Sequence, residues 1–378
     1  MWKNPVFAVD GHRREVSNPG MDDFLPLARR AFRASHGLPD AGEIALAPEA
    51  RERLFVWARR HRLFGLLQAG LPEAGETLRT AAYGQAQHAA RHAHEAGRLF
   101  ARLAPRLRTL ALLKGPALAV QAWPEPGLRS FDDLDFLCAG RDFPAFAAGM
   151  AQAGYAPEIA DPWRRAHLWH YGWGVAFSHP DGFMVEVKRR FFPPQYPWPC
   201  PRNRSWKTAF ANQKLEDAEI RAPTPALHLL LGCLHAVWHG WDRIAWLVDV
   251  AGLLARHPGI FPQAQALAKR CPFAENALAA GCAVADALFG PGLCSAAAPP
   301  AAIAEAVARL RGTARAMEGR ELRRFHENFM TRPEILAYRL RRILTPGDGD
   351  FRWISLPPAL RGLYWLVRPA RGALDRGP

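Results

Sequence analysis

The apolar pattern of the chain changes character at Pro105, and that change limits the folds open to it. Before it, Leu54, Phe55, Trp57, Leu63, Leu66 and Leu67 recur at helical spacings. A long Ala/His/Arg segment from Thr77 to Leu103 predicts a helix that Pro105 ends. After it come short apolar runs bounded by Gly and Pro. Thr109–Leu113, closed by Lys114-Gly115-Pro116, predicts a buried strand, a turn and a helix with Pro at its first position. Leu128–Cys138 reads as a second strand and Phe143–Gln152 as a packing helix. Trp173–Phe177 and Phe183–Lys188 flank Ser178–Gly182 as a hairpin. Helical patterning resumes over Pro225–His257. The expected class is therefore α+β, a small mixed-sheet core embedded in a mainly helical protein.

Five regions follow from this pattern: an irregular polar leader over 1–20, a helical region over 21–104, the α/β core over 105–195, a helical domain over 196–300, and a basic, aromatic-containing region over 301–378. Met21 opens the first helix-like segment and is expected to be the natural start. Pro- and Arg-rich residues 193–205 read as a linker. No apolar run reaches the roughly 18–20 residues of a spanning helix. Residues 1–20 lack the apolar stretch of a signal peptide. Six Cys without paired spacing argue against a disulfide scaffold or a zinc ribbon. The expected setting is the cytoplasm.

The formal net charge is +14, and 43 of the 49 basic residues are Arg. Half of that excess falls in residues 301–378. Such a surface attracts polyanions, which leaves nucleotide phosphates, nucleic acid and an anionic membrane surface all open as partners. Nucleic acid is not favoured, and whether the tail packs on the core, binds a partner or touches a membrane peripherally stays open.

The segment richest in chemistry is Arg129-Ser130-Phe131-Asp132-Asp133-Leu134-Asp135-Phe136. On a strand, Asp133 and Asp135 share a face, about 7 Å apart, while Leu134 and Phe136 face the other way. Paired carboxylates of this kind grip hard cations such as Mg²⁺, which serve phosphoryl and nucleotidyl transfer. The plainer reading is a solvated Asp-rich turn. At Leu113-Lys114-Gly115-Pro116, a glycine turn into a helix can bring backbone N–H groups to a phosphate, with Lys114 adding a point charge. It can equally be an ordinary connection. In Met184-Val185-Glu186-Val187-Lys188, Glu186 and Lys188 share a face, so Glu186 can supply a third carboxylate or simply face water. Arg129, placed on the same predicted strand, is either a phosphate clamp or a salt-bridge partner for the carboxylates. His235 and His239 share a helix face. They lack a metalloprotease pattern and, with Asp249, either face a cleft or hold the helical domain against it. Cys138 and Cys233 read as small core residues. The Trp- and Phe-rich stretch 163–206 suits core packing better than base stacking.

Taken in order, a strand, a glycine turn and helix, a strand with alternating carboxylates and a later strand with one more resemble the polymerase-β-type nucleotidyltransferase core. More narrowly, the Leu-Lys-Gly turn, the Trp123-Pro124-Glu125-Pro126-Gly127 loop, Arg129 with its Asp-x-Asp, Val185–Lys188, Leu234–Trp241 and Leu247-Val248-Asp249 resemble a family of uncharacterised bacterial nucleotidyltransferase-like proteins. The likeness spans roughly residues 50–255. It implies an enzyme in which Asp133, Asp135 and Glu186 are catalytic and bind Mg²⁺ or Mn²⁺. Lys114, Gly115, Arg129, Lys188 and His239 would attend the nucleotide. The implied reaction moves a nucleotidyl or phosphoryl group from a nucleoside triphosphate to a hydroxyl of an unidentified small-molecule or peptide acceptor. Two departures stand out: Lys-Gly-Pro replaces the usual Gly-Gly or Gly-Ser pair, and Lys188 stands where the family often has His. A catalytically inactive binding or scaffold protein, and an RNA-processing protein, are the competing readings.

Overall fold

The computed structural model describes residues 21–39, 48–197, 208–290, 292–294, 300–311 and 317–374. The leader expected over 1–20 and most of the expected linker lie outside the described residues. The fold is α+β, a small mixed five-stranded sheet within a mainly helical chain.

Helices α1 (Met21–Ser35), α2 (Pro48–His61) and α3 (Phe64–Gly70) precede the long α4 (Glu76–Leu103). A Cβ on Gly70 would lie 2.2 Å from Ala31 Cα, so the close approach of α1 and α3 requires glycine there. The sheet follows as β1 (Leu110–Leu112), β2 (Leu134–Cys138), β3 (Ala156–Pro157), β4 (Gly174–Ser178) and β5 (Met184–Lys188), in the order β1-β2-β5-β4-β3. Only the β2–β5 pair is parallel. Its register sets Asp135 opposite Glu186. Helix α5 (Pro116–Ala122) follows β1, while α6 (Phe143–Gln152) and α7 (Pro162–Tyr171) lie between β2 and β4. Asp161 caps α7 by accepting from the backbone N–H groups of Trp163 and Arg164.

Strand alternation divides the residues by chemistry. Leu134, Phe136, Cys138, Val185 and Val187 are buried in one apolar cluster with Leu99 and Phe100 of α4 and Phe146 of α6. Asp135, Glu186 and Lys188 take the opposite face. That face is roofed by a helical layer: α8 (Pro225–Trp238), α9 (Ile244–Arg256), α10 (Ile260–Ala268) and α11 (Pro272–Phe289), which share a second, larger core with α1–α3.

Two features differ from the sequence expectations. Strand β2 begins at Leu134, not Leu128. Pro126–Leu128 is a 3₁₀ turn, and the residues up to Asp133 form a loop. Tertiary anchors override extension there. The Phe131 ring is buried against Ala89 and Ala119, its carbonyl accepts from His88 Nε2 (3.0 Å), and Asp132 pairs with Arg62. The patterning also leaves 206–224 without an element, yet β6 (Phe210–Leu215) and β7 (Ala218–Pro223) form a hairpin there, packed on β1 and α4.

The tail forms α12 (Pro300–Arg311), α13 (Gly319–Glu327), α14 (Arg332–Leu344), α15 (Asp348–Trp353) and α16 (Tyr364–Leu374). Tyr338 of α14 is fully buried in the helical core. Helices α15 and α16 dock on α7 through Phe351, Tyr364 and Tyr171, and the Tyr171 hydroxyl donates to the Arg361 carbonyl (2.7 Å). Of the thirteen large apolar side chains exposed among the described residues, ten fall between Leu336 and Leu366. No described helix is long and apolar enough to cross a membrane.

Candidate active site

The polar face of β2 and β5 opens into a cavity of about 470 Å³ whose other wall is α8 and α9. Asp133 enters from the end of the loop before β2, Asp135 from β2 and Glu186 from β5. One carboxylate oxygen from each lies within 4.8 Å of the other two. Small residues on the neighbouring strand leave the space above it clear, since Gly174 pairs with Lys188 and Ala176 with Glu186. Glycine is needed at 174, because a Cβ there would lie 2.5 Å from the Val187 carbonyl oxygen.

Lys188 stands among the acids. Its Nζ is 2.7 Å from Asp135 Oδ1 and 3.0 Å from Glu186 Oε2, and lies over the Trp173 ring, 4.3 Å from its centroid. Lys114 Nζ is 3.9 Å from Asp135 Oδ2 and 3.1 Å from His235 Nδ1. Electrostatics separate the two aspartates. Burial, reinforced by Asp135 and Glu186, pushes the Asp133 carboxyl up to about 7. Burial opposes ionisation of Asp135 too, but Lys188 and Lys114 outweigh it and hold that carboxyl below the usual range. The acids in turn hold the Lys188 ammonium above its ordinary value against the cost of burial. Burial lowers Lys114 despite Asp135.

This donor set fits a hard divalent cation. Three carboxylates, one oxygen from each, converge on the buried polar face of the sheet, an all-oxygen anionic set of the kind such ions prefer. Gly115 lines the same cavity at φ +56°, turning the chain from β1 into α5. The turn is pinned from the helical layer, where His228 Nε2 donates to the Leu113 carbonyl (2.6 Å).

Arg129 is not on the strand and does not pair with Asp133 or Asp135. Its Nε and Nη2 donate to Asp249 Oδ1 and Oδ2 (2.8 and 2.9 Å), and Trp123 Nε1 donates to the same carboxylate (2.7 Å). The motif residues Trp123, Arg129 and Asp249 thus form one buried knot that ties the loop before β2 to α9. His239 does line the cavity, with its ring against His235 and Trp246. Burial, with Lys114 and Arg243 nearby, drops its imidazole to about 3. Sequence reasoning missed the aromatic wall formed by Trp173, Trp238 and Trp246. Only the density of Trp around 163–246 hinted at it. Cys138 and Cys233 are buried core residues, as read.

A family described as uncharacterised nucleotidyltransferase matches residues 48–290, a span that includes every residue of this site. The chain belongs to that family. The match takes in α2 through α11, so both walls of the cavity lie within the family's span. No curated protein and no solved structure is significantly similar to this chain.

Proposed function

We propose that this nucleotidyltransferase-family chain is a divalent-cation-dependent enzyme. In this reading it moves a nucleotidyl or phosphoryl group from a nucleoside triphosphate to an acceptor hydroxyl. The observation that carries the reading is the convergence of Asp133, Asp135 and Glu186 in the lining of a cavity of about 470 Å³ that Gly115 also lines. These three carboxylates would hold the cation, Mg²⁺ or Mn²⁺. When bound, it supplies electrostatic stabilisation of the charge that builds on a transferring phosphoryl group.

The chain's own residues divide the remaining work. Lys114 directs a positive charge into the cavity from the turn and suits a phosphate oxygen. Asp249 positions Arg129, which in turn reaches the Gly115 carbonyl (Nη1, 3.5 Å), so the turn's place is set from α9. The aromatic wall of Trp173, Trp238 and Trp246 is suited to stack a base or an acceptor ring. In nucleotidyl transfer the acceptor oxygen bonds to the α-phosphorus as the bond to pyrophosphate breaks. The hydroxyl proton passes to a carboxylate, for which Glu186, the more open of the strand pair, is the best placed.

Asp133→Asn combined with Asp135→Asn should abolish Mg²⁺-dependent nucleotide consumption while leaving the far-UV circular dichroism unchanged. Turnover that survives both substitutions would remove the proposal. Labelled ATP incubated with the protein and a cell extract would reveal the acceptor as the species that acquires label.

A further inference from the structure

We infer that the site takes one divalent cation, not two, because Lys188 is a resident counter-cation filling the second position. The inference rests on the metal-dependent reading above. Paired-metal transfer sites neutralise their carboxylates with two divalent ions. Here two ammonium groups already stand at three carboxylates. Lys188 Nζ sits between Asp135 and Glu186 at 2.7 and 3.0 Å, and Lys114 Nζ lies 3.9 Å from the other Asp135 oxygen. Together they supply the same formal charge as one divalent ion. With no nucleotide bound, one cation therefore brings the cluster to the formal charge that two would give without the lysines, and a second would leave a strongly positive, partly buried site. Position also argues for a fixture. Lys188 is 5% exposed, lies under the Trp173 ring and comes from the middle of the sheet, where its backbone pairs with β4 and β2. Among the described residues its ion pairs are with Asp135 and Glu186 alone, so swinging it out would break both.

Counting bound Mn²⁺ by equilibrium dialysis and electron paramagnetic resonance tests this. The wild-type chain should bind one Mn²⁺, Lys188→Gln two, with a spin-coupled signal, and the double Asp133→Asn, Asp135→Asn variant none. Lys188→Gln should also gain more in melting temperature from Mn²⁺ than the wild type, since its acids lose their built-in partner. Two ions in the wild type, or one in Lys188→Gln, would overturn the inference and leave the metal-dependent reading standing. No binding by any form would overturn both. The wild-type count decides even where a variant folds poorly.

An independent observation points to a second surface. The geometry assigns α14–α16 to contact with an anionic lipid surface. Leu336, Leu340, Ile343 and Leu344 form one exposed stripe on α14, opposite buried Tyr338. Trp353, Trp365 and Leu366 (70% exposed) continue the exposed apolar set on α15 and α16, where α16 packs on α14 and α15 on α16. Residues 332–374 hold eight Arg and only three acids. Apolar anchors with interfacial Trp and a positive surround are the chemistry of a peripheral membrane face.

The full chain should sediment with phosphatidylcholine vesicles containing phosphatidylserine, not with phosphatidylcholine alone, and high salt should release it. Leu340→Glu with Leu366→Glu, both at exposed sites, should weaken binding about tenfold or more. Equal binding to both vesicle types or no binding would overturn the assignment. So would a dimer in analytical ultracentrifugation that the same two substitutions dissociate.

Discussion

Asp249 shows how much one side chain can hold. Its carboxylate takes two hydrogen bonds from Arg129 and one from Trp123, and both charged partners are almost wholly buried. Removing one member of such a pair strands the other charge in a poorly solvated place. Asp249→Ala should therefore cost about 3–5 kcal/mol in urea unfolding. Asp249→Ala with Arg129→Ala should cost less than the sum of the two singles, since neither charge is then left alone. Additive losses would show that the two act separately. The motif order made these residues legible as important, but their roles were not. An arginine four residues before an aspartate reads as its strand neighbour, and only the anchoring of Phe131 and Asp132 shows that the chain is not extended there.

At the level of elements, the sheet core was readable because its segments carry the patterns that their burial imposes. Thr109–Leu113 is a continuous apolar run because every residue of β1 is buried, Phe143–Gln152 is a helix-length apolar segment, Phe183–Lys188 alternates, and the structure places β1, α6 and β5 within them. Glu186 beside Asp135 follows from the same rule, since alternation fixes the face and the parallel β2–β5 register fixes the neighbour. The β6–β7 hairpin was illegible for the opposite reasons. Along β6 only Leu215 is buried, so Phe210-Ala211-Asn212-Gln213-Lys214 carries little patterning. Its turn, Glu216-Asp217, reaches φ +50° at Glu216 without the Gly or Asn that normally announces such a bend. The place of Lys188 between two acids was equally hidden. Sequence shows that it shares a face with Glu186, but only the β2 pairing puts Asp135 within its reach.

For the molecule as a whole, buried imidazoles set its response to acid. Burial lowers His61 and His228 to about 3 and His326 to about 4. His326 donates from Nε2 to the Trp238 carbonyl (2.9 Å) and accepts from the Tyr196 hydroxyl at Nδ1 (3.0 Å), a neutral arrangement. Because these folded-state values lie below the unfolded value near 6.5, the unfolded chain binds the extra protons. Their contribution is complete above pH 6.5 and is lost as pH falls toward 4. By pH 4.5 each should remove roughly 2–3 kcal/mol, against a typical total of about 5–15 kcal/mol. The melting temperature should fall steeply between pH 6.5 and 4.5, and a flat profile over that interval would contradict the burial argument. The two-walled cavity has a further consequence. A fragment cut out at residue 195 would keep the acids and lysines but lose α8 and α9, flooding one side with water. Short-range attractions among those groups would then be screened as on any protein surface. The five strands are thus no transplantable cassette: the helical layer keeps their electric field strong.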